Sequence, residues 1–196
     1  MKRKYELRQR AEAQAETRRR IVDAAIELHS TKGPARTTVS EVADLAGVQR
    51  ATLYKHFPTL RDLGLACSGL YSERNPAPDP SSWLSLDGEE RLQLGLTELY
   101  QFFDRNRAMI SRVLADSVSD ELTRELFELR FGQQMGAIRA ALAEALPSRG
   151  NKALAALDLA LSFGTWRQLS LSGLSNSDAA QVMVRALLAQ RATVRR

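Results

Sequence analysis

The sequence predicts an all-α protein with an N-terminal helix-turn-helix domain and a C-terminal helical domain. Apolar residues recur at i, i+3, i+4 and i+7 in most segments, which is the spacing of one face of a helix. We find no segment with the strict apolar and polar alternation of a β-strand. One Pro-rich segment, 75–82, holds three of the six prolines and marks the boundary between the domains.

We place the predicted limits of the domains by composition and spacing. Residues 1–20 form a basic N-terminal arm, 21–71 form the helix-turn-helix domain with a linking helix, and 72–196 form the C-terminal domain. The chain contains no run of 18 apolar residues and no apolar segment behind its basic start, so we expect neither a membrane span nor a secretory signal. The single cysteine, Cys67, fits a reducing cytoplasm and is expected to be a buried small hydrophobe, with a redox-sensor role as the alternative.

The net charge of +5 lies entirely in the first part of the chain. Residues 1–71 contain thirteen Lys and Arg against eight Asp and Glu, whereas residues 72–196 contain fifteen of each. A basic module joined to a neutral one is typical of proteins that bind polyanions. Binding to a membrane surface would also need bulky apolar residues opposite the basic ones, and the first twenty residues lack them.

The N-terminal arm is rich in helix formers but has no apolar stripe, so it either extends the first helix, frays, or stays a solvated tail. Three arginines next to the folded part, Arg18, Arg19 and Arg20, are expected to contact phosphates. The spacing predicts a first helix over 17–32, which Gly33 and Pro34 end.

A helix-turn-helix pattern lies between residues 37 and 57. Thr38 precedes an apolar stripe and Glu41 follows three residues later, which predicts a capping box at the start of a short helix. Gly47 is placed to form the left-handed turn that ends this helix. A second short helix follows with Leu53 and Phe57 on its apolar side, and the pair is typical of a helix-turn-helix.

The outward face of the second helix decides the functional interpretation. It carries hydrogen-bond donors, and residues 45–61 contain no carboxylate, so the surface suits a phosphate-lined groove. An ordinary solvated helix is the alternative. We expect Arg50 and Thr52 at base edges, with Gln49 as a further candidate at the helix start, and phosphate contacts from Thr38, Tyr54, Lys55 and His56.

Residues 21–63 resemble the N-terminal domain of the TetR family of bacterial transcription regulators. The specific part is A-G-V-x-x-x-T-L-Y-x-H-F, which begins at Ala46. Leu60 stands where the family commonly has a phosphate-binding lysine, and Arg61 is the substitute that we expect. The resemblance implies a three-helix DNA-binding domain, a C-terminal domain for dimerisation and inducer binding, and a palindromic operator in double-stranded DNA.

The C-terminal half is predicted to be helical throughout. A helix over 152–171 is so rich in Ala and Leu that most of its circumference must be buried, and Ser177 or Asp178 is expected to cap a final helix through about Gln190. We expect these last two helices to form a homodimer interface, as the resemblance implies. The final helix contributes apolar residues to that interface: Val182, Met183, Ala186, Leu187 and Ala189.

Aromatic side chains and methionines cluster in the same half, either as core or as the lining of a small-molecule site. The residues that we expect to bind an unknown small-molecule effector are Tyr100, Phe103, Phe131, Met135, Phe163, Trp166 and Arg167. Phosphate-cradling, zinc-binding and triad motifs are absent from the sequence, so we expect no enzyme and no cofactor. The sequence therefore favours a ligand-responsive homodimeric repressor, with an activator or an architectural DNA binder as the alternative.

Overall fold

A computed structural model of the chain describes the backbone of residues 2–189 and the side chains of residues 5–189. Within this range all regular structure is helical and no strand occurs, which confirms the all-α prediction. A 3-10 turn covers Pro80–Trp83 and a π-helical segment covers Glu128–Gly132. The helices are α1 (Lys2–Thr31), α2 (Val39–Ala46), α3 (Arg50–His56), α4 (Leu60–Arg74), α5 (Gly88–Arg105), α6 (Arg107–Asp116), α7 (Glu121–Phe127), α8 (Gln133–Glu144), α9 (Asn151–Ala160), α10 (Phe163–Leu171) and α11 (Asn176–Leu188).

The chain divides into two compact units. The first comprises the residues up to Asn75 together with Ala108–Arg130, and the second comprises Pro76–Arg107 together with the residues from Phe131 onward. The domain limits given above stay a prediction. No helix within residues 2–189 combines the length and apolar character needed to cross a membrane.

The first unit is built around the apolar faces of α1 to α4. This core forms because α1 presents a stripe at helical spacing to both helices of the helix-turn-helix and to α4. Phe57, directly after α3, and Cys67 of α4 complete the core. Its buried members are Ile21, Val22, Ala24, Ala25, Val42, Ala43, Ala46, Leu53, Phe57, Leu63 and Cys67.

Helix α1 begins at Lys2, well before the predicted start near residue 17. Its N-terminal half is exposed, so helix formers and local pairs such as Arg8 with Glu12 support it rather than a core. Leu60 is 57% exposed, because it occupies the first position of α4.

The second unit packs around α5. Trp83, Leu96 and Tyr100 are fully buried, and Gly95 lets neighbours approach, since a Cβ there would lie 2.6 Å from Cδ2 of Leu142. Helix α11 is the main partner of α5. Ser175 caps α11 by accepting the N–H of Asp178, so the predicted cap at Ser177 or Asp178 was wrong. Gln190, its predicted end, lies outside the described residues.

The Ala- and Leu-rich segment 152–171 forms two helices, where the sequence predicted one. Ser162 accepts the N–H of Gly164 and caps α10, which stops α9 at Ala160. The hydroxyl of buried Tyr100 donates to the Ala160 carbonyl over 2.8 Å, so one of the terminal carbonyls of α9 has a partner. Leu159 is 59% exposed and Ala155 is also exposed, so part of the apolar circumference of α9 is not buried within one chain.

Candidate nucleic-acid interface

Helices α2 and α3 form the predicted helix-turn-helix. The Thr38 hydroxyl accepts the N–H of Glu41 and the Glu41 carboxylate accepts the N–H of Thr38, which confirms the capping box. Gly47 has φ 65°, and the N–H of Val48 donates to the Ala43 carbonyl over 2.9 Å. This left-handed turn ends α2 as predicted and directs the chain into α3.

Helix α3 is anchored on one side only. Leu53 and the following Phe57 are each 1% exposed, whereas Arg50, Tyr54 and Lys55 are exposed. Among residues 5–189, neither basic side chain of this helix forms an ion pair. The outer face of α3 therefore offers cationic donors that no acidic side chain within residues 5–189 pairs with.

Other predicted contacts on α3 have mixed exposure. Gln49 is exposed and extended, and its side chain makes no capping hydrogen bond, which leaves its amide available. Thr52 and His56 are half-buried. That these residues touch DNA stays a prediction.

Arg18 and Arg20 hold the ends of the two short helices. The Arg18 guanidinium donates to the His56 carbonyl over 3.0 Å and lies 4.0 Å from the centre of the Phe57 ring. Arg20 donates to the Ala46 carbonyl, at the end of α2, over 2.9 Å. A cation at a helix C-terminus stabilises the unsatisfied carbonyls, so both residues have a structural role that the sequence did not indicate.

Three predicted phosphate contacts outside α3 also have partners within the protein, namely Arg19, Arg61 and Thr38. Arg19 pairs with Glu16 over 3.0 Å on the exposed face of α1. Arg61, in the first turn of α4, donates through Nη2 to Glu125 of α7 over 2.6 Å, and this carboxylate raises the pKa of the guanidinium. Thr38 is exposed although it serves in the capping box.

Glu41 is the acidic residue in the first turn of α2. Lys32 pairs with its carboxylate and Thr38 donates to it, and these contacts lower its pKa to about 2. The carboxylate is therefore ionised at neutral pH and is already bound by Lys32 and Thr38. It does not oppose an anion at the N-terminus of α2, because Lys32 compensates its charge.

The sequence interpretation missed Arg36. It is exposed in the turn before α2, and it forms no ion pair with the side chains that the structure describes. The available signal was its spacing, because a cation two residues before a helix cap lies where the helix N-terminus also attracts anions. Arg36 therefore joins the candidate phosphate contacts.

Cys67 is buried, as expected of a small hydrophobe. Its Sγ lies 3.6 Å from Nδ1 of His29, and burial raises the pKa of the thiol to about 11. Burial also lowers the pKa of His29 to about 4. Both groups are therefore neutral at pH 7, which leaves the thiol without the thiolate character of a redox sensor.

The predicted ligand-binding aromatics come together in the second unit. The Phe103 ring lies 5.5 Å from Phe163, 5.9 Å from Trp166 and 6.4 Å from Phe131, measured between ring centres. Tyr100 stacks on Phe103 at 6.3 Å. These rings contact each other as a core does, and binding of a small molecule among them stays a prediction.

The predicted non-aromatic members of this site differ in placement. Met135 is half-buried, and Arg167 is exposed on α10. Arg107, which the sequence interpretation did not name, lies 5.2 Å from the Trp166 ring centre, and Asn176 accepts the Trp166 indole N–H over 2.9 Å. These two residues are the polar neighbours that the fold brings to the aromatic cluster.

Comparisons with known proteins agree with this geometry. Residues 21–67 match the family model described as "Bacterial regulatory proteins, tetR family". The chain is 45% identical over 56 residues to the HTH-type transcriptional regulator TtgR of Pseudomonas putida, a match that covers 29% of this chain and 26% of that protein. It is 44% identical over 48 residues to the HTH-type transcriptional regulator AcrR of Shigella flexneri, covering 24% of this chain and 22% of that protein. The chain thus matches about a quarter of the length of these relatives.

Solved structures match over nearly the whole chain. HlyIIR, a hemolysin II transcriptional regulator, has a TM-score of 0.66 at 18% identity, covering 89% of this chain and 98% of that one. The transcriptional regulator FadR from Bacillus subtilis in complex with stearoyl-CoA has a TM-score of 0.58 at 19% identity, covering 87% of this chain and 97% of that one. At these identities the likeness establishes the fold alone.

Proposed function

We propose that this chain, whose residues 21–67 match the family model of the tetR family of bacterial regulatory proteins, is a DNA-binding transcriptional regulator that acts as a homodimeric repressor. The observation that carries the proposal is the outer face of α3. Its arginine and lysine are exposed and unpaired within residues 5–189, on a helix whose inner face is fixed by Leu53 and Phe57. A helix of this kind fits the major groove, which is about 12 Å wide.

The proposed contacts to DNA are of two kinds. Arg50 and Thr52, with Gln49, face base edges from the N-terminal half of α3, because the start of a recognition helix enters the groove deepest. The other contacts hold phosphates and fix the register without reading sequence. This second set comprises Arg18, Arg19, Arg20, Arg36, Thr38, Tyr54, Lys55, His56 and Arg61.

The palindromic operator follows from a homodimer formed through α9 to α11. Support comes from apolar or small side chains that stay exposed on these helices: Ala155, Leu159, Val182 and Ala186. Met183 and Leu187, which the sequence also assigned to the interface, are buried in the core of their own chain and are left out of it. Two-fold symmetry would then present two α3 helices to successive major grooves.

A small molecule bound among the aromatic residues of the second unit would lift repression. The FadR structure with stearoyl-CoA supports an effector with a large apolar part, and the rings around Phe103 are the apolar surface that suits it. The effector shifts the balance between states only by its preference for one of them. This function places the protein in the cytoplasm, where bacterial DNA lies.

Two other regulators fit the same scaffold. An activator would bind DNA in the same way and differ only in output, whereas an architectural protein would bind duplexes without strong preference. We do not propose an enzyme, because the relatives named above are transcriptional regulators.

Selection of duplexes from a random library by the full-length protein tests the proposal. We expect one palindromic sequence to bind at least about 10³-fold more tightly than random duplex at a fixed salt concentration, measured by fluorescence anisotropy. Equal affinity for both would favour the architectural protein and contradict the proposal. Transcription from a promoter carrying the selected sequence then separates repression from activation.

Arg50 and Lys55 form a matched pair of variants for this assay. Arg50→Ala should cost about 1–3 kcal/mol on the selected operator and relax specificity at one base position. Lys55→Ala should weaken binding to all duplexes alike and lower the salt slope by about 1. An Arg50 variant that loses the same affinity on every sequence would assign Arg50 to the backbone instead.

A further inference from the structure

An ion pair joins the start of α4 to α7 inside the first unit. Both Nε and Nη2 of Arg61 donate to Oε1 of Glu125, over 3.2 Å and 2.6 Å. The two side chains are 54% and 48% exposed, so the pair lies at the surface and can exchange with ions from solvent. Arg61 is five residues beyond the end of α3, in the first turn of a helix whose N-terminus also favours anions.

Close packing beside the ion pair fixes where Glu125 points. Gly64 lies one turn after Arg61 on the same face of α4, and a Cβ on it would lie 2.5 Å from Cδ1 of Leu126. Leu126 thus occupies the space that a side chain at Gly64 would need. Because Leu126 follows Glu125 directly, this contact sets the register of the carboxylate against Arg61.

A second set of bonds holds the same two segments together farther along α4. Arg130 donates through Nη2 to the Leu65 carbonyl over 3.0 Å and through Nε to the Ser68 hydroxyl over 3.2 Å. The segment from Glu125 to Arg130 therefore follows α4 for nearly two turns. Of the residues in this contact, Glu125 is the one that pairs with a candidate DNA-binding residue, Arg61.

We propose that Glu125 competes with the DNA backbone for Arg61 and so weakens the binding of α4 to the operator. This inference rests on the proposed function, since it adds a residue that tunes one of its phosphate contacts. A guanidinium makes the same forked hydrogen bonds to a carboxylate as to a phosphate, so a phosphate that takes the Nε and Nη2 donors of Arg61 has to displace Glu125. Any movement of α7 away from α4 withdraws the carboxylate and releases Arg61 to the duplex.

The size of the effect follows from the exposure of the pair. An exposed ion pair alters an equilibrium by up to about fivefold. Glu125→Gln should therefore lower the Kd for DNA by about two- to fivefold per subunit, and by roughly 4- to 25-fold for a dimer. A phosphate newly neutralised by Arg61 should also steepen the plot of log K against log salt by about 0.9 per subunit.

A double-mutant cycle tests the competition in the full-length protein. Wild type, Glu125→Gln, Arg61→Ala and the double variant are titrated against the selected duplex and a random duplex at several salt concentrations. We expect Glu125→Gln to tighten binding to both duplexes, and to change nothing once Arg61 is alanine. Circular dichroism of each variant establishes that the fold is kept.

Glu121→Gln is the matched control, because Glu121 is an exposed carboxylate one turn earlier on α7 with no ion pair among residues 5–189. A gain that Glu121→Gln reproduces, or that persists without Arg61, would show general charge repulsion and overturn the competition. Unchanged affinity in Glu125→Gln would overturn it too. If the wild-type protein shows no sequence preference, the proposed function is wrong. If the wild-type protein is selective but the effects of the two substitutions simply add, only the role of Glu125 is wrong.

Discussion

The turn between α1 and α2 depends on a glycine that faces a buried carboxylate. Gly33 has φ 101°, a conformation that side chains with a Cβ rarely adopt. A Cβ added there would meet Oδ2 of Asp116 inside van der Waals contact. The same Oδ2 accepts the N–H of Ala35 over 3.0 Å, and Asp116 is only 7% exposed. The change Gly33→Ala therefore disturbs the turn that leads into the helix-turn-helix.

Two terms set the expected loss of stability. Forcing alanine into this backbone conformation costs about 1–3 kcal/mol. Displacing Asp116 breaks a hydrogen bond to a charged acceptor, which contributes about 1.5–3 kcal/mol. We therefore expect the free energy of unfolding of Gly33→Ala to fall by about 2.5–6 kcal/mol, a large part of the stability of an ordinary domain.

Urea unfolding followed by circular dichroism, at one protein concentration, measures this loss. In an Asp116→Ala background the clash is already gone, so Gly33→Ala should cost only the backbone part, about 1–3 kcal/mol. Gly88→Ala is the control, because Gly88 has φ 49° with open space around the added methyl group. If Gly33→Ala costs the same with and without Asp116, contact with this carboxylate is not the cause.

Two further predictions concern residues that support the helix-turn-helix. Arg18→Lys keeps the charge but loses the flat guanidinium over Phe57. We therefore expect the free energy of unfolding, measured by thermal unfolding, to fall by about 1 kcal/mol. Unchanged stability with weaker DNA binding would make Arg18 a phosphate contact alone. Contacts from Lys32 and then Thr38 lower the pKa of Glu41 to about 2 from its ordinary 4.5, so its contribution is complete above pH 4.5 and is lost as the pH falls towards 2. Glu41→Gln should flatten the dependence of the urea midpoint on pH in this window, and identical curves for variant and wild type would argue against this contribution.

Local features of the fold could be predicted because their causes lie within a few residues. The capping box of Thr38 with Glu41 joins residues three apart. The same holds for Gly47, whose left-handed conformation depends on its missing side chain. The helix start at Ser162 could not be predicted in this way. A serine in an Ala- and Leu-rich segment caps a helix only when the chain can turn there.

The roles of the arginines could not be predicted in this way. Arg18 and Arg20 bind carbonyls 38 and 26 residues away, and Arg61 pairs with a carboxylate 64 residues away. The sequence alone gives the three residues the same character, that of cations near a helix-turn-helix. Only folding decides which carbonyl or carboxylate each of them reaches.

By itself the sequence determined the all-α class, the two short helices and their turn, and the match of residues 21–67 to the tetR family model, because apolar spacing, caps and a required glycine act over short distances. The tertiary structure decided which cations stay unpaired on α3, which apolar residues of α11 stay exposed, and that Glu125 reaches Arg61. Those outcomes depend on segments far apart in the chain that meet only when the core closes, and no spacing in the sequence encodes that meeting.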